Sequence, residues 1–353
     1  MRLALEKRDK KSNSIAFMVP LISFIVSLLL GAIVLVASKA NPFEAYAAMA
    51  RGAFGNARRL QYTIVEAIPL LLCGLSVGIA FRLRFWNIGA EGQYVWGAIG
   101  ITWVMQFWTF VPDAMLLPVG LVVGMILGAL WAGIPGVLKA QWSVDETLTT
   151  LMLNYVAIGF AEYLYIKAWK APLGNLGTPV FPDSAAFSTV WGKIHGGLFI
   201  ALVLVVILWF VQYKTRWGFE LNMIGKNPTA AKYQGVSIRR NIILALLVSG
   251  AIAGLAGSIN TAAIAHRLTK GVNSGYGFTG IIIAWMAHLN PFASIVVAIV
   301  MASLTTGAAA LQIAMKLPES MGEVLQGLVL IPLLAGSIFN EYRLIVIRKE
   351  AAK

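Results

Sequence analysis

Cysteine is nearly missing. Cys73, inside an apolar run, is the one example in 353 residues, which excludes a disulfide framework and any cysteine-based metal site. The three histidines, His195, His266 and His288, are far apart and lack the helical spacing of metal ligands. No metal site and no cofactor site is therefore expected. Acidic residues are scarce too, with 15 Asp and Glu against 28 Lys and Arg, and charged residues make up only 12% of the chain. A phosphate loop is lacking, because Gly225-Lys226 is followed by Asn227 and has no glycine at the required spacing before it, so ATP hydrolysis by that route is excluded. No RNA- or DNA-binding module is visible, and the net charge of +13 flanks apolar runs, where it suits topology and anionic headgroups.

What is there is apolar surface. The chain is 59% hydrophobic with a mean hydropathy of +0.77, more than one soluble core could use, and it reads as an all-α integral membrane protein. The basic segment 1–14 leads into a run over 15–37 that is too long for a signal core of about 7–15 residues and is read as a retained first helix. Helices are expected near 15–37, 63–82, 87–108, 114–138, 147–166, 197–213, 241–262, 276–289, 292–313 and 323–340. About ten crossings put both ends, including the tail 341–353, in the cytoplasm, where segments then hold 18 Lys and Arg against 10 outside. That sign agrees with the positive-inside rule.

The stretch Asn87-Ile88-Gly89-Ala90-Glu91-Gly92-Gln93-Tyr94 interrupts this pattern with a carboxylate and two glycines. Ionisable groups at membrane depth are costly and normally face a polar cavity or a partner, so the stretch marks a solute pathway. The competing reading puts Glu91 at the membrane surface and uses the glycines only for helix packing. Asn41-Pro42 recurs as Asn227-Pro228 and Asn87-Ile88-Gly89 as Asn273-Ser274-Gly275, both at an offset of 186. Two five-helix repeats, about 15–166 and 197–340, are then inverted in the membrane, with a solute site between them where Glu91 faces Tyr276–Thr279.

Between the repeats lies an external segment, 167–196, rich in Pro and Gly. A cytoplasmic segment, 214–240, encodes a short helix started by Asn227-Pro228 and stopped by Gly235. A plain connector has no need of such a helix. Gly74-Leu75-Ser76-Val77-Gly78 fits a hydrolase elbow, but it lies in a helical run where the elbow needs a strand-to-helix turn. Glu66, Asn154, Tyr155, Glu162, Asn260 and Gln312 are polar residues in apolar runs that either line a path or bond between helices.

Phe85–Gln93, the segment Val144-Asp145-Glu146-Thr147 through Asn154-Tyr155, and Gly225-Lys226-Asn227-Pro228 through Ala231-x-Tyr233-x-Gly235 resemble the permease subunits of bacterial ABC importers. The simple-sugar and nucleoside class is the nearest group, related to ribose and branched-chain amino acid permeases. Ala284-Trp285-Met286-Ala287-His288 is bulkier than that class has there. The resemblance implies a multi-pass protein of the bacterial inner membrane that is itself no enzyme. Its partners would be a cytoplasmic ABC ATPase, a second and different permease chain, and an external solute-binding protein. Asn87, Glu91, Gln93, Asn154, Tyr155, Asn273, Ser274 and Tyr276 would line the translocation path for a nucleoside or related simple sugar. Gly225, Asn227, Pro228, Ala231, Tyr233 and Gly235 would couple to the ATPase. An ion-coupled secondary transporter is the alternative, since inverted repeats and a buried carboxylate suit it as well.

Overall fold

The computed structural model describes residues 2–7, 13–172, 177–182, 187–272, 274–318 and 320–347. The chain divides into two compact units, Asn56–Ala302 and a second made of Met1–Gly55 with Ser303–Lys353.

In the second unit, α1 (Asn13–Ala37) packs along α13 (Ser320–Glu341). After α1 the chain bends by 114°, between Leu21–Ala37 and α2 (Pro42–Phe54), a broken span or a re-entrant turn. Asn41 makes that bend, its side chain accepting from Phe43 N–H at 3.0 Å while Pro42 begins the helix, where its missing donor costs nothing. Leu35, Met49, Leu311 and Leu325 form the buried apolar centre. β1 (Arg2–Lys7) pairs antiparallel with β4 (Tyr342–Ile347), so the segments flanking the first and last helices lie side by side.

The larger unit holds α3 (Ala57–Arg82), α4 (Ala90–Phe107), α5 (Asp113–Trp142), α6 (Glu146–Tyr163), α7 (Gly197–Lys214), α8 (Arg216–Lys226), α9 (Pro228–Tyr233), α10 (Ile238–Asn260), α11 (Tyr276–Met286) and the first half of α12 (Pro291–Met315). A π-helical turn extends α6 over Leu164–Ala168 and another extends α10 over Thr261–Ala265. The short strands β2 (Thr189–Trp191) and β3 (Ile194–His195) form a hairpin ahead of α7.

α4, α5 and α10 pack backbone to backbone. A Cβ on Gly97 would lie 1.9 Å from Gly254 O, and one on Gly128 would lie 2.4 Å from Gly250 O. Helices in lipid gain little from burying apolar surface against each other, so close approach through small residues is what holds this trio.

Helices stand at all ten expected positions, but they are not ten equal spans. Among the described residues five helices (α3, α5, α7, α10 with its π turn, and α12) are long and apolar enough to cross a membrane, and the bent α1–α2 pair makes a sixth if it is one span. α11 has only 11 residues. At 1.5 Å per residue it is about 16 Å long, roughly half of a ~30 Å hydrocarbon core, because it stops at the break before Tyr276. α2 and α8 have no counterpart in the sequence reading: α2 falls in an external segment between two helices, and α8 in the part of the segment 214–240 that precedes its short helix.

The offset of 186 also relates two helix starts. α11 begins 186 residues after α4, and Gly277, 186 residues beyond Glu91, donates to that carboxylate. A Cβ on Gly257 of α10 would lie 1.9 Å from Tyr94 O of α4, and one on Gly280 of α11, 186 residues beyond Tyr94, would lie 2.9 Å from Cys73 O of α3.

Candidate functional site

The interruption before α4 is built by amides. The chain leaves α3 at Arg82, turns through 83–89, and starts α4 at Ala90 with no side chain capping it. Asn87 supplies the missing order. Its Oδ1 accepts from Gly89 N–H at 3.0 Å and from Gln93 Nε2 at 3.0 Å, while its Nδ2 donates to Gln93 Oε1 at 3.2 Å and to Ser249 Oγ of α10 at 3.0 Å. Every polar position of this fully buried amide is used, as burial demands.

Asn154 of α6 clamps the other side, accepting from Gly92 N–H at 2.8 Å and donating to Ile88 O at 2.9 Å. Asp145 starts α6 by accepting from Leu148 N–H at 2.9 Å, and Thr150 Oγ1 accepts from Ile88 N–H at 3.3 Å. Thr150 and Asn154 of the α6 motif therefore hold the broken backbone between α3 and α4, and Asp145 starts the helix that carries them.

Glu91 is fully buried, and its carboxylate reaches the start of α11. Oε1 accepts from Gly275 N–H at 3.0 Å and Oε2 from Gly277 N–H at 2.7 Å. The first N–H groups of a helix have no partner within it and form the positive end of its dipole, so a carboxylate is the natural cap. Gly277 is also the residue equivalent to Glu91 at the offset of 186, and a Cβ there would lie 2.1 Å from Glu91 N. The starts of α4 and α11 are therefore in direct contact, where the sequence places a solute site between Glu91 and Tyr276–Thr279.

Beside the contact, Tyr276 Oη donates to Glu66 Oε1 of α3 at 2.8 Å, its ring packs 5.5 Å from that of Tyr94, and Tyr94 Oη bonds Asn260 Nδ2 at 2.6 Å. Asn260 Oδ1 is buried without a bond. The interior between α3, α4, α10 and α11 thus carries two polar pairs joined by the packed tyrosine rings.

Other expected residues lie elsewhere. Tyr155 is 64% exposed on the outer face of α6, with Leu148, Met152 and Val156. Glu162 is exposed on the same helix, and Gln312 is exposed on α12. Ser274 is exposed, its hydroxyl donating to Gly271 O, and Asn273 lies outside the described residues. Ser76 lies within α3 and exchanges bonds with Ser249, Oγ donating to the other's carbonyl at 2.7 Å and 2.8 Å, so it sits on a helix and not on an elbow.

The short helix after α7 is present as α9, started by Asn227 accepting from Ala230 N–H at 3.1 Å and ended at Gly235 with φ of +75°. Pro228, Thr229, Lys232 and Tyr233 are exposed, Tyr233 at 86%, whereas Ala231 is completely buried. Gly225 is buried as well, against the carbonyl of Arg82. α8 ahead of it is anchored by Glu220, which accepts from Asn241 Nδ2 at 3.1 Å. A cleft of 670 Å³ lies between α8 and the start of α10, lined by Arg216, Trp217, Arg240 and Leu244 among others.

Residues 59–334 match the family described as branched-chain amino acid transport system / permease component. A glucose ABC transporter permease of Haloferax volcanii is 32% identical, over 97% of this chain and 93% of that protein. A guanosine ABC transporter permease of Bacillus subtilis is 32% identical over 89% and 92%, and a nucleoside ABC transporter permease of Lactococcus lactis is 31% identical over 82% and 83%. A solved structure of a metal-chelate type ABC transporter in an inward-facing conformation aligns over 93% of this chain and 99% of that one, with a TM-score of 0.50 at 16% identity, which is a likeness of fold.

Proposed function

The chain belongs to the family of branched-chain amino acid transport system permease components, and on that footing we propose that the solute it passes is a nucleoside. It is a multi-pass membrane protein and the permease of an ABC transporter, which sets aside the ion-coupled carrier. ATP hydrolysis belongs to a separate cytoplasmic ATPase seated on α9. A second permease chain and an external binding protein complete the complex.

The observation that carries the solute reading is the pair of relatives from Bacillus and Lactococcus, whose names specify guanosine and nucleoside and which match over more than four fifths of both chains. The Haloferax glucose permease supports a second reading, a simple sugar. The sealed state of Asn87, Glu91 and Gln93 supports a path that runs beside this network. The outer face of α6, with Tyr155 among apolar side chains, is where the second permease would meet this chain and where a planar, hydroxyl-rich solute would pass. Such a path needs little affinity of its own, since a tight site would hold the cargo that the binding protein delivers.

The test is ATPase stimulation in the purified complex. Binding protein from the same gene cluster, loaded with a nucleoside, is expected to stimulate hydrolysis. Stimulation by the glucose-loaded form with none by nucleosides would replace the first solute by the second.

A further inference from the structure

Arg82 ends α3 and is 8% exposed, yet no acidic side chain pairs with it among the described residues. Its guanidinium is held by neutral groups on three elements. Nη1 donates to Asn222 Oδ1 of α8 at 3.1 Å, and Nη2 donates to Tyr213 Oη of α7 at 3.1 Å and to Leu289 O after α11 at 2.9 Å. The guanidinium carbon also stands 4.9 Å from the centre of the Tyr213 ring, and Nε is buried without a bond. Burying a cation costs several kcal/mol unless its geometry is well satisfied, so packing alone does not account for this arginine.

The turn it grips is strained. His288 and Leu289 have φ of +49° and +59°. Left-handed backbone costs a residue with a Cβ about 1–2 kcal/mol, and such strain persists where the surroundings over-determine it. The surroundings here are Arg82 on the Leu289 carbonyl and the aromatic group of Phe81, Trp86 and Trp285, with ring centres 5.3 to 6.1 Å apart. On its other side Arg82 supports α8. A Cβ on Gly225 would lie 2.0 Å from Arg82 O, so the last turn of α8 rests on the end of α3, immediately before α9.

We propose that Arg82 is a positioning residue that couples the ATPase-facing segment to α11: movement of α9 and α8 shifts Asn222, Arg82 follows, and the strained turn at 288–289 is released or restored. α11 is a short rod whose opposite end donates to Glu91, so displacement at Leu289 reaches the contact between the starts of α4 and α11. The inference rests on the reading that α9 docks on an ATPase.

The experiment compares ATP hydrolysis and solute uptake by the full complex reconstituted in lipid. Arg82→Met keeps the volume and removes every donor. It is expected to assemble with the ATPase and to keep basal hydrolysis, while uptake per ATP hydrolysed falls at least tenfold. Arg82→Lys keeps the charge but not the planar fork, and is expected to fall between. Asn222→Ala cuts the α8 arm alone and is expected to lower uptake per ATP about fivefold at normal membrane levels, which keeps the test decisive should Arg82→Met fail to accumulate. Wild-type uptake per ATP in Arg82→Met, or in Asn222→Ala where Arg82→Met is absent from the membrane, overturns the inference. A wild-type complex that shows no stimulation by loaded binding protein would instead defeat the importer reading, and the inference with it.

Discussion

At the scale of the residue, Glu91 is a joint. Its two oxygens take up two N–H groups that α11 cannot satisfy itself, and hydrogen bonds to a charged group contribute about 1.5–3 kcal/mol each. Glu91→Gln turns one acceptor into a donor facing an N–H group. It is expected to lower thermal stability in detergent by about 1–3 kcal/mol and to reduce uptake without narrowing the range of nucleosides carried. Gly277→Ala sets a Cβ against Glu91 backbone that has nowhere to yield, at an expected cost of about 1–3 kcal/mol; an unchanged melting temperature would mean the contact is looser than described. His195, outside the spans, is buried against Phe187, and burial lowers its pKa from 6.5 to about 4. A base with a depressed folded pKa contributes stability that is whole above 6.5 and is lost as pH falls toward 4. Hydrogen exchange at Lys193–Gly197, corrected for intrinsic rates, should therefore quicken across that window, and His195→Phe should abolish the change. The amides and the carboxylate were legible in the sequence because such groups are expensive at membrane depth. Arg82 was not, because an arginine ending an apolar run reads as a topology signal, and only the fold shows that it turns inward.

At the scale of the element, the Asn-Pro pairs were informative in both repeats, since an Asn cap followed by Pro specifies a helix start whatever the surroundings. α2 and α8 escaped notice because both lie in segments with little hydrophobicity, which read as loops. α9 was placed by its cap and its glycine, but a helix of six residues has no periodicity from which to tell its faces apart. The structure settles that point: Ala231 faces inward and Tyr233 outward. Ala231→Glu should accordingly lower the membrane level of the chain itself. Tyr233→Ala should leave that level unchanged and reduce stimulated ATP hydrolysis about tenfold, equivalent to about 1.4 kcal/mol, when assayed in the assembled complex. The bulky Ala284–His288 stretch also finds a reason, because Trp285 packs against the Phe81–Trp86 pair at the strained end of α11.

At the scale of the whole molecule, composition announced the membrane, and the offset of 186 relates the starts of α4 and α11. Helices stand at the ten positions that hydropathy marks, but a hydropathy window does not distinguish a half-helix such as α11, which ends on a buried carboxylate, from a complete span. Cysteines placed at Lys193 and Lys232 should be labelled from outside and from inside respectively, over a background in which Cys73 is buried. The most direct measurement is labelled nucleoside uptake into vesicles that carry this chain with the ATPase, the second permease and the binding protein. The account predicts uptake that requires ATP and persists when ion gradients are collapsed. Uptake that follows an ion gradient in the absence of ATP would contradict it.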